Sequence, residues 1–491
     1  MVTQSTKRYE TAPEDRIPFG QKIIYGTGAF VNNILAAAIG GMVIVLNLGL
    51  GMDPALVGLL GALPRLTDAL TDPLMGYISD NTRSPWGRRR PYIFVGAIAV
   101  GIIFALMWQL PRGYSDMFYF WLFLAASILF YLAYTMFATP WVALGFELTP
   151  DFHERTRLMG VQNFIGQLAY VVSPWFLWFM TLEMFEDELS GASTLAIIIA
   201  VFVIAVGVLP AIFLRERITQ TPANEDSDEE QMNFWDRIVD FFKGFAKTLT
   251  SGPFLRLCIA TFLVFNGFML ISSFQFYVII YYVFGGDKAA GAEYAGYAGS
   301  IGAVSTFIVI GIVTYLATAI GKRRAFFVAT GLSIVGYALK WVCYNPEYPV
   351  LVLLPAPLLA FGLGGLFTLM PSMIADVVDY DELETNQRRE GMYGSIFWWV
   401  VKVGMAAALA AGGFLLNLTG FDVALEGNQS ADTLYWMRVA DVVVPIIASF
   451  IAIFAIMSYP LTEQRAHEIR DELERRRGSL GPADDEPNAT A

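Results

Sequence analysis

Arg65, Asp68 and Asp72 stand inside an otherwise apolar stretch, Pro64-Arg65-Leu66-Thr67-Asp68-Ala69-Leu70-Thr71-Asp72-Pro73, in a segment running from about residue 54 to residue 80. A segment of this length crosses a bilayer, which takes about 20 apolar residues. An ionised carboxylate at the centre of such a helix costs about 2.5–3.5 kcal/mol on insertion scales. The two carboxylates, spaced i and i+4, share one helical face, and Arg65 lies on that face three residues before Asp68. A patch of this kind belongs on an ion or substrate path and not against lipid. A second deep charge, Lys402, lies in Phe397-Trp-Trp-Val-Val-Lys402-Val-Gly-Met, with no acidic neighbour in its own stretch. An ammonium without a partner in low dielectric tends to lose its proton, so Asp68 or Asp72, across a cavity, is its natural partner. A cation bound at the carboxylates would then compete with Lys402, coupling ion occupancy to movement. The alternative is a fixed ion pair that only sets packing.

Elements of a particular kind must position these charges. Of the 491 residues, 56% are hydrophobic and 15% charged, against about 25% charged in soluble domains, and the mean hydropathy is +0.52. Apolar runs long enough to span recur from end to end, so the expected fold class is an all-α, multi-pass membrane protein. The runs predict twelve spans, at about 21–47, 54–80, 91–111, 116–147, 157–183, 192–214, 252–284, 291–320, 323–344, 349–380, 390–418 and 435–459. They divide the chain into five parts: a cytoplasmic N-terminal segment (1–20), a six-helix bundle (21–214), a cytoplasmic linker (215–251), a second six-helix bundle (252–459) and a cytoplasmic tail (460–491). In the linker, PANEDSDEEQ precedes FWDRIVDFFKGFAKTL, whose apolar spacing predicts an amphipathic helix along the membrane surface. The first twenty residues lack an apolar core, so no cleavable signal peptide is expected.

Arg83, Arg88, Arg89, Arg90, Arg155, Arg157, Lys322, Arg323, Arg324, Arg388 and Arg389 all fall in alternate loops, whereas the other loops carry Arg112, Lys288 and Arg438. By the positive-inside rule the basic loops and both termini are cytoplasmic. The halves echo each other: span 4 ends in Glu147 and Asp151, span 10 in Asp376 and Asp379, each followed by basic residues. The guanidinium groups of Arg83, Arg88, Arg89 and Arg90 could pair with these four acids and close the cytoplasmic side in one state; alternatively they only obey the charge rule. Lys340, near the end of span 9, could snorkel to the interface.

Other classes find little support. The net charge of −12 sits largely in Glu225–Glu230 and Asp484–Glu486, solvated acidic segments that indicate no nucleic-acid partner. Cys258 and Cys343 fall in predicted membrane helices, and His153 and His467 outside them, so neither a disulfide, a metal site nor a catalytic relay is expected. No nucleotide-binding or nucleophile–base motif emerges, which argues against an enzyme and against a cofactor beyond a coupling ion. Tyr134, Trp141, Trp398 and Trp399 could stack on a sugar ring, although an aromatic residue in such a chain is more often packing or interfacial belt.

Two six-helix halves joined by a polar linker is the layout of major facilitator transporters, with the substrate site between the halves. More specifically, Asp68-x-x-x-Asp72-Pro73-x-x-Gly76, continuing into Asn81-Thr-Arg83-Ser-Pro-Trp-Gly87-Arg88-Arg89-Arg90-Pro91, resembles the signature of the glycoside–pentoside–hexuronide:cation symporters. Tyr25-Gly-Thr-Gly-Ala-Phe30, Tyr134-Thr135 with Pro140, Ala375-Asp-Val-Val-Asp-Tyr380 and Val400-Val-Lys402-x-Gly404 extend the match in order along nearly the whole chain. The resemblance implies cation-coupled uptake by alternating access from a plasma (inner) membrane, by a monomer with a small-molecule substrate, probed as sugar, glycoside or sugar acid. It places the cation site at Asp68, Thr71, Asp72 and Thr135, for sodium or a proton, and matches Arg65 and Lys402 to a central charge network. Three substrate positions of the family correspond to Asn33, Ala138 and Asn163; Asn33 and Ala138 replace carboxylates that bind galactoside hydroxyls, and Asn163 an arginine. Loss of those charged groups predicts poor galactoside binding. Two alternatives remain at this point: a transporter of lysophospholipid or another amphiphile in the same fold, and a non-transporting membrane sensor.

Overall fold

The computed structural model describes residues 13–149, 152–216, 248, 251–385, 390–461 and 463–477, and every regular element among them is helical. The first half comprises α1 (Phe19–Met42), α2 (Ile44–Leu48), α3 (Pro54–Asn81), α4 (Arg90–Met107), α5 (Asp116–Glu147), α6 (Phe152–Val172), α7 (Phe176–Met180), α8 (Glu188–Gly207) and α9 (Leu209–Phe213). The second comprises α10 (Gly252–Tyr277), continued by a π-helical turn over Val278–Val283, then α11 (Lys288–Ile320), α12 (Lys322–Cys343), α13 (Ala356–Thr385), α14 (Glu390–Leu418) and α15 (Ala431–Met457). α16 (Glu463–Arg477) follows and packs on α13. The amphipathic linker helix, Asp151, Arg388 and Arg389 lie outside the described residues, as do the side chains of Asp68, His153, Arg155 and His467.

Among the described residues, ten helices are long and apolar enough to cross a membrane. α3 is apolar over Pro54–Arg65, and Asp68 and Asp72 follow in the same helix. α6 carries Glu154, Arg157, Gln162, Asn163 and Gln167. Both are nonetheless packed among the apolar helices, α3 on α5 and α6 on α1. The outer surface is the inverse of a soluble protein's: Leu106, Val201, Ile308, Val342 and Phe454 are exposed, which suits hydrocarbon and not water. The chain is thus an all-α, multi-pass membrane protein.

Local chemistry sets the helix ends. Asp53 caps α3, accepting from the backbone N–H groups of Ala55 at 2.8 Å and Leu56 at 3.3 Å, with Pro54 at the first helical position, where its missing N–H costs nothing. Ser115, Asp187, Asp287 and Ser430 cap α5, α8, α11 and α15 in the same way. Pro140 inside α5 cannot donate to the Met136 carbonyl, which loosens the ladder beside Thr135 and Thr139.

Within the first half, α1 packs on α6, and α4 on α5 and α8; within the second, α10 packs on α14 and α15, and α13 on α11 and α12. The halves meet mainly through α3 against α14 and α11 against α6. The α3–α14 approach is close enough to need glycine. A Cβ on Gly58 would stand 2.6 Å from the Leu409 carbonyl oxygen, and one on Gly413 would stand 3.1 Å from Ala55 Cα. Small residues of this kind let membrane helices pack backbone to backbone.

Lys340 does not snorkel. It is fully buried in α12, with Nζ 2.6 Å from Asp441 Oδ1 of α15 and 5.0 Å from the Tyr344 ring centre, and both charged side chains are at most 1% exposed. The expectation failed because the partner lies 101 residues away in sequence; with that carboxylate at hand, interior burial competes with reaching the interface. Removing one partner of such a pair leaves an uncompensated charge, which costs about 3–5 kcal/mol. Asp441→Asn should therefore lower the thermal midpoint of the purified protein in detergent, and the double variant Lys340→Met/Asp441→Leu should recover most of the loss. A single variant melting with the wild type would contradict this account.

Candidate ion-coupling site between the halves

Three helices bring the predicted charges together. Asp72 of α3 and Lys402 of α14 form an ion pair through Oδ2, across the boundary between the halves. The other carboxylate oxygen, Oδ1, accepts from Thr135 and Thr139 of α5, each at 3.1 Å. Thr71 Oγ1 stands 3.2 Å from Thr135 Oγ1. The carboxylate thus has a charged partner on one oxygen and two hydroxyls on the other. Asp68 lies one turn before Asp72 in α3. Arg65 packs over the Tyr131 ring of α5, its guanidinium carbon 5.8 Å from the ring centre, and its buried Nε has no hydrogen-bond partner among the described residues.

The pair is only partly withdrawn from solvent: the side chains of Lys402 and Asp72 are 34% and 33% exposed. At that exposure a Coulomb attraction is much reduced from its interior value. Separating this pair therefore costs less than separating a fully buried one.

The sequence did not single out Thr139, Tyr131 or Asn32. Tyr131, Thr135 and Thr139 recur at four-residue spacing, so they form one stripe of α5 facing Arg65 and Asp72. That spacing was the available signal for Thr139. Asn32 of α1 accepts from the Tyr134 hydroxyl at 2.8 Å, a link with no sequence signature.

The residues considered for substrate separate into two kinds. Trp141 is packing: 2% exposed, it donates Nε1–H to the Tyr25 carbonyl at 3.1 Å and stacks on the Tyr25 ring at 5.2 Å, fastening α5 to α1. Asn33 donates to the Gly166 carbonyl at 3.0 Å and ties α1 to α6, and Ala138 is buried in α5. By contrast, Asn163 is exposed on α6, and Trp398 and Trp399 are exposed on α14. Trp398 shares the helical face of Lys402, one turn away, and stacks on Phe367 of α13, with ring centres 6.0 Å apart.

The basic loops fold onto their own half. Arg88 and Arg89 pair with Glu147, the latter at 3.0 Å. Arg90 donates to the carbonyls of Ala211 at 2.6 Å and Ile212 at 3.0 Å. Glu216, not singled out from sequence, accepts the backbone N–H groups of Arg88, Arg89 and Arg90 at 2.8–3.0 Å. Arg83 is exposed, and Asp379 lies partly exposed in α13. Asp376 is met by Lys322 at 2.8 Å, within the second half.

Among the described residues, several contacts join the halves at the end away from these loops. Asn417 donates to both oxygens of Asp53, each at 2.9 Å. Tyr277 donates to Asn47 at 3.1 Å. Lys288 pairs with Glu188 at 2.7 Å and donates to the Leu48 carbonyl at 3.1 Å. Trp175 donates to Ser300 at 2.7 Å, and Ser300 to the Val171 carbonyl at 3.0 Å. Deeper in, the halves touch through Phe164 on Phe307 and through Lys402 on Asp72.

Residues 24–463 match the family model described as MFS/sugar transport protein. The isoprimeverose transporter of Lactiplantibacillus pentosus is 23% identical, over 99% of this chain and 98% of its own. The sodium-dependent lysophosphatidylcholine symporter 1-A of Danio rerio is 22% identical, over 90% of this chain and 86% of its own. A crystal structure of a D-xylose-proton symporter superposes with a TM-score of 0.62 over 91% of this chain and 99% of that one, at 13% identity, and so shares the fold. With the family match running through both halves and the carboxylate–lysine pair between them, the chain belongs to the glycoside–pentoside–hexuronide:cation symporter family of the major facilitator superfamily, matched as MFS/sugar transport protein.

Proposed function

We propose that this protein is a secondary transporter that carries a sugar, glycoside or sugar acid together with a monovalent cation, by alternating access. The observation that carries the reading is the Asp72–Lys402 pair, which joins the halves and uses a carboxylate already bonded to Thr135 and Thr139. In this reading Lys402 occupies the place of the coupling ion when none is bound. A cation arriving at Asp72, with Asp68 beside it in α3, releases Lys402 and loosens one of the cross-half links. The substrate then binds between the halves near Arg65, Trp398 and Asn163, and the halves rock about the loaded site. The chemical step is an exchange of one positive charge for another, with no bond made or broken.

The positive-inside rule puts the basic loops in the cytoplasm of a cell with this protein in its plasma membrane. The same rule requires α3 and α6 to cross with the ten apolar helices, which makes twelve spans with cytoplasmic ends. The cross-half contacts then lie on the outer face, and the conformation is one closed to the outside. A single chain contains both halves and the whole Asp72 site, which supports a functional monomer.

A lysophospholipid substrate is the second reading. It is favoured by the likeness to the lysophosphatidylcholine symporter and by the exposed Trp398 and Trp399 beside Lys402. The two readings share the ion site and differ only in cargo.

Uptake into proteoliposomes tests both at once, using labelled pentosides, hexosides, uronic acids and lysophosphatidylcholine with imposed sodium or proton gradients. Accumulation of a sugar or sugar acid driven by one of the gradients is expected; gradient-independent uptake of every compound would sink the symport reading. Asp72→Asn should reduce gradient-driven accumulation to that of protein-free vesicles while leaving the protein folded. The outer contacts give a further expectation. With Cys258 and Cys343 replaced, joining Glu188→Cys to Lys288→Cys by a short bifunctional thiol reagent should arrest uptake, and a cleavable linker should restore it on reduction. Full uptake by the joined protein would mean that this contact does not open during the cycle.

A further inference from the structure

The outer end of α10 is held from two sides, and the second hold lies far from the ion site. Tyr277, 6% exposed, ends the α-helical part of α10 and donates across the boundary to Asn47 at 3.1 Å; the Asn47 amide in turn donates to the Met52 carbonyl at 2.6 Å. Directly after Tyr277 the backbone changes to the π-helical turn Val278–Val283. Such turns are rare and occur frequently at functional sites. Five of its six residues are buried, in an apolar cluster shared with first-half residues such as Leu46 and Leu48. The sixth, Tyr282, is partly exposed and meets its own half instead.

Tyr282 meets Arg438 of α15. The guanidinium carbon stands 4.1 Å from the Tyr282 ring centre and 4.4 Å from that of Trp341 in α12, and Nη2 donates to the Trp341 carbonyl at 2.6 Å. A planar guanidinium stacks on aromatic faces and hydrogen-bonds from its edge, which an ammonium cannot do. Both supports are fixed. Trp341 follows Lys340 in α12, and Arg438 lies one turn before Asp441 in α15, beside the buried pair that fastens these helices together. Tyr282 itself lies five residues beyond Tyr277, the span of one π-helical hydrogen bond. We infer that Arg438 is a positioning residue for the outer boundary: through Tyr282 it holds the π-helical turn in the register that presents the Tyr277 hydroxyl to Asn47, and so favours the conformation closed to the outside. The inference rests on the reading that this end opens during the cycle.

Labelling from the outside tests it without knowledge of the substrate. The full-length protein, with Cys258 and Cys343 replaced and Leu48→Cys added at the buried boundary, is treated in right-side-out vesicles with a membrane-impermeant thiol reagent. Arg438→Gln should raise the labelling rate about tenfold, the scale of population shift that one cation–π contact sustains. Tyr282→Leu should match it, whereas Tyr282→Phe, which keeps the ring, should stay at the parent rate. Arg438→Gln combined with Tyr282→Leu should label no faster than either alone. With Asn163→Cys in place of Leu48→Cys, labelling by reagent sealed inside the vesicles should not rise. Parent rates in both Arg438→Gln and Tyr282→Leu would overturn the inference. So would summed effects in the combined variant, or faster labelling at both cysteine positions, which would mean a loosened fold. Tyr277→Phe separates the inference from the reading beneath it: outer labelling raised in that variant alone sinks only the role of Arg438, whereas no rise in any variant also removes the opening of this end.

Discussion

The centre of this molecule is organised around an ion pair that joins the two halves and is only partly buried, Asp72 with Lys402. Two lysine–aspartate pairs between helices lie deep in the molecule, and burial separates them. Lys340 and Asp441 are sealed between α12 and α15 inside one half, with essentially no solvent access. Dissociating them would strand two charges in low dielectric, so that pair is a permanent fastening. Lys402 and Asp72 are each about one-third exposed and lie between halves. The penalty for separating them is correspondingly smaller, and in the proposed transport cycle a mobile cation would substitute for the ammonium. The same two residue types make a rivet in one place and a switch in the other.

The remaining contacts follow the same division. Inside each half, helices are held by extensive apolar packing and by links such as Trp141 to Tyr25, Asn33 to Gly166 and Glu216 to the backbone of Arg88, Arg89 and Arg90. Between the halves, the closed end relies on glycine-lined approach at Gly58 and Gly413 and on individual polar contacts, Asp53 to Asn417, Asn47 to Tyr277 and Glu188 to Lys288. Asp53, Asn417, Glu188 and Lys288 sit at or near helix ends, where water can take the place of the partner, whereas Asn47 and Tyr277 are buried. Separating the Asp53–Asn417 and Glu188–Lys288 contacts therefore need not leave a buried donor or acceptor without a bond.

Much of this architecture could be read from the residues alone, and for a physical reason. Span limits from apolar runs fall within a few residues of the helix ends, as with 54–80 against Pro54–Asn81 and 390–418 against Glu390–Leu418, because hydrocarbon imposes one pattern on every segment. The link between Asp72 and Lys402 was legible because a charge in such a segment is expensive and demands a partner. Lys340 was misread since the same argument needs a partner in view, and Asp441 sits beyond two intervening helices. Glu216 gave no signal at all: its partners are backbone N–H groups, which any sequence supplies.

The cargo end of the site was legible to a lesser degree than the ion end, and the difference is again one of cost. A carboxylate inside a spanning helix has few explanations, whereas a tryptophan or an asparagine there has many. Trp141 shows the consequence: an aromatic residue suited to stacking on a sugar is in fact stacked on Tyr25, with its N–H committed to the Tyr25 carbonyl. Trp398, of the same residue type, is more than half exposed on the face of Lys402. Nothing in their local sequence distinguishes the two, because an indole satisfies its hydrogen bond and its apolar surface equally well in either setting. Only the surrounding helices decide which ring is spoken for, so the identity of an ion site can be argued from charge, while that of a substrate site has to be argued from packing.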